Sequence, residues 1–247
     1  EAGLARVRSN LVKGVEKGKV TTAERDAVLA RLRGTTDLAA AVRDADLVVE
    51  AVPERLDLKR AVFRETDAAA PRRAILATNT SSLPVSEIAA CTTRPERVLG
   101  LHFFNPPHLM KLLEVVTHAG LDAAVLEAAV AFARAAGKEP IVVKDAPGFA
   151  TSRLGVAIGL EAIRMLEEGV ASAEDIDKAM TLGYNHPMGP LRLTDLVGLD
   201  VRLGIAEHLA RTLGPRFEPP ALLRQMVKEG RLGQKTGRGF YTWEASR

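Results

Sequence analysis

The sequence predicts an α/β domain built on a largely parallel sheet, followed by an all-α domain, and two observations carry that reading. Between Asp46 and Lys144, short continuous apolar runs alternate with longer stretches of helical period, as expected of β-α-β units whose strands are buried on both faces. From Asp145-Ala146-Pro147-Gly148 onward the alternation stops and amphipathic helical patterns take over. The expected division is residues 1–144 and residues 145–247.

Taken in order, Leu4, Val7, Leu11 and Val15 set a first helical stripe. Thr21 and Glu24 are spaced as a capping box for a second, carrying Val28, Leu29 and Leu32. D-L-V-V-E-A-V from Asp46 reads as a buried strand that stops at Pro53, and Leu56 to Ala70 reads as a helix. A-I-L-A-T is the next strand, running into Asn79-Thr80-Ser81-Ser82 and a short helix through Ile88. V-L-G-L-H-F and L-L-E-V-V give two more strands, Leu121 to Ala136 a helix, and P-I-V-V-K a last strand. In the second domain, Ser172 and Asp175 cap a helix through Met180, and Gly183 to Pro190 forms a turn. Gly198 to Leu213 is a further helix, and Pro219-Pro220 opens another.

Composition narrows the function classes. A chain of 247 residues, 47% hydrophobic and 26% charged, can bury a sizeable core. Its 34 cations are interspersed with 31 anions and only 4% of residues are aromatic, so neither a basic stripe nor a stacking platform for nucleic acid is expected. Cys91 is the single cysteine, which excludes an intrachain disulfide and fits a reducing, cytoplasmic setting. No apolar run approaches the ~20 residues of a membrane span, and no signal-peptide pattern is seen. His108, His118 and His208 lack carboxylate or cysteine neighbours at metal-ligand spacing, so no metal site is expected, and His186 in N-H-P-M-G-P reads as ordering its turn. Cys91 reads as a packed thiol, and Ser81-Ser82 lacks the G-x-S-x-G elbow of a serine hydrolase.

Ligands of a doubly wound sheet bind outside the carboxyl ends of its strands, where Glu54, Asn79, Ser81 and His102 fall. Imidazole is the side chain best matched to taking a proton near neutral pH. A carboxylate at its second nitrogen would fix the tautomer, and Glu114, costly to leave unpaired between Leu113 and Val115, is the candidate.

A-D-L-V-V-E-A-V-P-E, N-T-S-S-L, G-L-H-F-F-N-P-P, K-D-A-P-G-F, H-P-M-G-P and K-T-G-R-G-F-Y together resemble the L-3-hydroxyacyl-CoA dehydrogenases, closest to the bacterial 3-hydroxybutyryl-CoA dehydrogenases. The resemblance spans nearly the whole chain. It implies a Rossmann-like domain followed by a helical dimerisation domain, NAD as cofactor, an acyl-CoA substrate, and a homodimer without nucleic acid or membrane as partner. It also implies oxidation of the C3 hydroxyl with His102 as base and Glu114 as its orienting partner. Ser81 would touch the substrate near the reacting carbon and lie close to the nicotinamide. Glu54, Lys59 and Asn79 would line the nicotinamide side. Lys235 in Q-K-T-G is open to two readings, a cation that approaches the cofactor from the second domain or an ordinary exposed lysine. Arg6, Arg8, Lys13, Lys17 and Lys19 on the basic hairpin would face the CoA phosphates.

Two departures from that pattern stand out. Where the family carries an asparagine that holds the substrate oxygen, this chain has Ser152, which is shorter and has no amide fork. The glycine-rich phosphate turn is also not found, since Gly14, Gly18 and Gly34 do not lead from a buried strand into a helix. The expectation is a Rossmann-like domain that lacks its first β-α-β unit, as part of a longer protein or as a shortened copy, and that binds NAD poorly by itself. A related sugar-acid dehydrogenase of the gulonate type, and a non-catalytic dimerising protein, are the alternatives.

Overall fold

The computed structural model describes residues 1–244; residues 245–247, counted above in the second domain, lie outside the described residues. The chain opens with α1 (Ala2–Glu16) and α2 (Thr22–Arg31), a hairpin in which no residue is buried. The capping box at Thr21 is formed, with Glu24 N–H donating to Thr21 Oγ1 and Thr21 N–H to Glu24 Oε2. After the short α3 (Leu38–Val42) come β1 (Leu47–Glu50), α4 (Leu56–Ala69), β2 (Ile75–Thr78), α5 (Val85–Ala89), β3 (Val98–Phe103), β4 (Leu112–Thr117), α6 (Ala123–Ala135) and β5 (Glu139–Lys144).

The five strands form one sheet in chain order, parallel except for the antiparallel pair β3 and β4. Residues 104–111 are too few for a helical crossover, so the chain must return alongside itself. Period-two alternation covers both faces of the sheet. Leu76 and Val98 face Phe63 and Ile88 of α4 and α5, while Ala77, Leu99 and Leu101 face Val125 and Ala129 of α6. One expectation needs correction: the edge strands β1 and β5 are not buried on both faces, since Val49 is 39% and Val142 53% exposed.

Buried ion pairs brace this domain. Arg94 pairs with Asp67 at 2.7 Å and also donates to the carbonyls of Asp67 and Ala70, closing the carboxyl end of α4. Burial raises the Asp67 pKa, and donation from Thr93 and Arg94 outweighs it, leaving the carboxyl below its ordinary value.

The second domain comprises α7 (Thr151–Glu167), α8 (Ala173–Gly183), α9 (Pro190–Val197), α10 (Leu199–Leu213) and α11 (Ala221–Lys228) around a core that includes Leu160, Ile163, Leu191, Leu199, Leu209 and Leu223. Two buried carboxylates organise it. Asp177 caps α9 by accepting from the N–H groups of Leu191 and Arg192. Asp195 accepts from the N–H groups of Phe240 and Tyr241 and from Trp243 Nε1, pinning the K-T-G-R-G-F-Y segment to α9. Gly239 is required there, because a Cβ would lie 2.1 Å from Asp195 Oδ1.

Candidate active site

His102 and Glu114 are directly opposed across the β3 and β4 pair, the register at which cross-strand side chains meet. His102 Nδ1 lies 2.6 Å from Glu114 Oε2. Glu114 is wholly buried, and its other contacts come from the start of the second domain: Ala150 N–H at 3.2 Å and Thr151 N–H at 2.9 Å to Oε1, and Thr151 Oγ1 at 2.9 Å to Oε2. The P-G-F turn aims those donors. Gly148 and Phe149 both have positive φ, 74° and 47°, and the cost of that backbone for phenylalanine is offset by burial of its ring beside His102. Burial pushes the Glu114 pKa up, but the hydrogen bonds from His102 and Thr151 outweigh it, so the carboxyl is held below its ordinary range. An anionic Glu114 requires the proton on Nδ1, leaving Nε2 as an acceptor without a partner among the described residues.

His102 opens on a cleft of about 540 Å³ between the two domains. Glu54, Ser81, Ser82, Thr151 and Ser152 line its polar side, and Leu193, Val197, Val201 and Ile205 of α9 and α10 line its apolar side. Glu54 Oε1 accepts from Thr80 Oγ1 at 2.6 Å and from the N–H groups of Ser81 and Ser82 at 2.8 and 3.1 Å. Those bonds fix the turn that presents the Ser81 hydroxyl, which is itself unpartnered among the described residues.

The structure thus gathers Glu54, Ser81, His102, Glu114 and Ser152 around one cleft. Lys59 and Asn79 act from behind it. Lys59, 1% exposed, pairs with Glu50 at 2.9 Å and with Glu54 at 3.5 Å, so it anchors the end of β1 and does not line the cleft. Asn79 Oδ1 accepts from Phe103 N–H at 2.8 Å and ties the ends of β2 and β3 together. Lys235 is turned to Asp200 at 2.6 Å and is not among the lining residues. Arg6, Arg8, Lys13, Lys17 and Lys19 sit exposed on the hairpin, with no ion pair among the described residues.

Among the lining residues that escaped the sequence reading, Thr151 and Arg202 are polar. Thr151 carried no motif signal. Arg202 did carry one, because it occupies a helix position, between Leu199 and Ala206, that the buried stripe of α10 reserves for apolar side chains.

A cleft at the carboxyl ends of parallel strands, holding an imidazole poised on a buried carboxylate and closed by a helical domain, defines the class of two-domain dehydrogenases. Residues 1–146 match the family described as 3-hydroxyacyl-CoA dehydrogenase, NAD binding domain, and residues 148–243 the corresponding C-terminal domain. A probable 3-hydroxybutyryl-CoA dehydrogenase of Bacillus subtilis is 45% identical over 245 residues, covering 99% of this chain and 85% of the relative. The mitochondrial hydroxyacyl-coenzyme A dehydrogenase of Homo sapiens is 44% identical over 218 residues, 87% of this chain and 69% of that one. The crystal structure of (S)-3-hydroxybutyryl-CoA dehydrogenase from Ralstonia eutropha superposes with a TM-score of 0.94 at 40% identity, covering 99% of this chain and 86% of that one. The chain belongs to the 3-hydroxyacyl-CoA dehydrogenase family, NAD-dependent oxidoreductases of fatty acid metabolism.

The residues at the strand ends fit the reactive-ring end of NAD: a half-exposed Glu54 carboxylate held by three donors, and beside it the free Ser81 hydroxyl. No glycine turn joining a buried strand to a helix, which would cradle the diphosphate, occurs among the described residues.

Proposed function

We propose that this cleft oxidises the C3 hydroxyl of a short-chain L-3-hydroxyacyl-CoA, with His102 as the base. The observation that carries the reading is the buried His102–Glu114 pair at 2.6 Å. His102 Nε2 accepts the hydroxyl proton, and the positive charge that develops on the ring is offset by Glu114, already ionised and held by Thr151. Ser81 and Ser152, both lining the cleft, donate to the substrate oxygen and hold it toward Nε2. Ser152 reaches less far than an asparagine would. NAD, when bound, takes up the electrons and hydrogen leaving C3. Glu54 orients the ring end of that cofactor, and Lys59 and Asn79 support its floor. Lys235 approaches the cofactor only on release from Asp200.

Residues 1–144 serve in this reading as the cofactor domain and residues 145–247 as the dimerisation domain. Leu154, Leu182, Tyr184 and Leu196 are exposed on the second domain, an apolar surface that supports a homodimer. No described helix is long and apolar enough to cross a membrane, and a cytoplasmic location accords with the use of a single cysteine, Cys91. The test is reduction of NAD by the full-length protein with 3-hydroxybutyryl-CoA, repeated with His102→Gln. Turnover that His102→Gln abolishes without loss of folding is expected. Activity on free hydroxy acids but none on the CoA thioester would replace this reading with the sugar-acid one. Light scattering that gives a monomer at micromolar concentration would refute the dimer.

A further inference from the structure

Among the described residues, Arg202 is the one charged side chain lining the cleft that the proposed chemistry does not use. It lies on α10, is 7% exposed, and lines the same cleft as His102 and Ser152. Its guanidinium makes neither a hydrogen bond nor an ion pair among the described residues, and its Nε is buried with no partner. Gly155, one turn along α7 from Ser152, makes room for it, since a Cβ there would stand 3.0 Å from Arg202 Nη1. Around it the cleft wall is aliphatic, with Val201 and Ile205 on its own helix and Val197 on α9. The nearby acids are already engaged. Glu54 is bound by Thr80, Ser81, Ser82 and Lys59, and Asp200 by Lys235. Burial alone brings the Arg202 pKa down to about 10, with no carboxylate pulling it back.

A buried guanidinium without an anion is costly to keep, and no acid among the described residues compensates this one. Its partner is therefore best supplied by what enters the cleft. The CoA phosphates are separated from C3 by the whole pantetheine arm, whereas an acyl chain a few carbons longer than C3 stays within the cleft, whose wall beside Arg202 is aliphatic. We propose that Arg202 is a specificity-determining residue that receives a terminal carboxylate on the acyl chain, so that the preferred substrate is a dicarboxylic 3-hydroxyacyl-CoA. The inference rests on the acyl-CoA reading of the cleft. Arg and carboxylate pair in a planar, two-bond geometry that a methyl terminus cannot supply.

The test compares adipyl-CoA with hexanoyl-CoA, equal in carbon count and lacking the reacting hydroxyl, by calorimetric titration of the full-length protein. Adipyl-CoA is expected to bind about 10- to 100-fold tighter, the range a hydrogen bond to a charged group carries. Arg202→Leu should remove the difference and Arg202→Lys should keep part of it. Equal affinity of the unmodified protein for the two ligands would overturn the proposal, and that comparison stands even where a variant does not fold. So would an Arg202→Leu protein that loses both affinities alike, which would mark Arg202 as a support of the thioester end. NAD reduction with 3-hydroxybutyryl-CoA, measured alongside, reports separately on the acyl-CoA reading.

Discussion

Replacing Glu114 by glutamine keeps the shape of the site and changes its proton arithmetic. The amide oxygen can take over the bonds from Ala150 and Thr151 N–H, and the Thr151 hydroxyl can turn to accept. The amide nitrogen then faces His102 Nδ1 at the position where Oε2 now lies 2.6 Å away. Two N–H groups cannot share that space, so the imidazole proton moves to Nε2 and the nitrogen facing the cleft no longer accepts one. Loss of the base lowers kcat by about 10²- to 10⁴-fold, or roughly 3–5 kcal/mol of barrier. KM for the acyl-CoA changes far less than kcat, because Nε2–H can still donate to the substrate oxygen and only the direction of that hydrogen bond reverses. Stability falls by about 1.5–3 kcal/mol through loss of a charged hydrogen bond inside the protein. The assay is steady-state NAD reduction together with thermal unfolding of the same samples. A Glu114→Gln protein that keeps kcat within about threefold would refute the tautomer argument. A loss of activity no larger than its unfolded fraction would do the same.

Ser152→Asn lengthens the donor in the first turn of α7 and is expected to raise kcat about 10-fold through closer placement of the substrate oxygen; unchanged or reduced turnover would end the view that serine is a short substitute here. Lys59→Met leaves the buried carboxylate of Glu50 without its cation, and urea unfolding should register a loss of about 3–5 kcal/mol. Asp67 and Glu114 both have carboxyl pKa values held below the ordinary 3.8 and 4.5. Their contribution to stability is complete above those ordinary values and is lost as pH falls through the lowered ones, so unfolding free energy should drop below about pH 4.5 and a flat profile there would contradict the assignment.

The sheet was legible because its strands are continuous apolar runs broken by Pro, Gly or polar turns, and all five occur where those runs stand. Residue type singled out His102 and Glu114, but only the β3–β4 register, fixed by the short return over residues 104–111, brings their side chains together. The burial of Lys59 was not legible, for a physical reason. In D-L-K-R it looks like any solvated helix cation, and its burial depends on Glu50 waiting at the end of a strand nine residues back. Arg94 and Asp67 were invisible for the same reason, since such pairs are set by the packing of α4 against the sheet. The helices α7 and α9 follow a strained turn and a proline turn whose ends the apolar period alone does not fix.

Glu114 belongs to the sheet, yet three of its four hydrogen bonds are supplied by Ala150 and Thr151, where the helical domain begins. The joint between the domains and the proton site are therefore one object. The helical domain reaches into the sheet domain's chemistry through a single carboxylate: the residues that begin α7 hold Glu114 in place, and Glu114 in turn orients the imidazole.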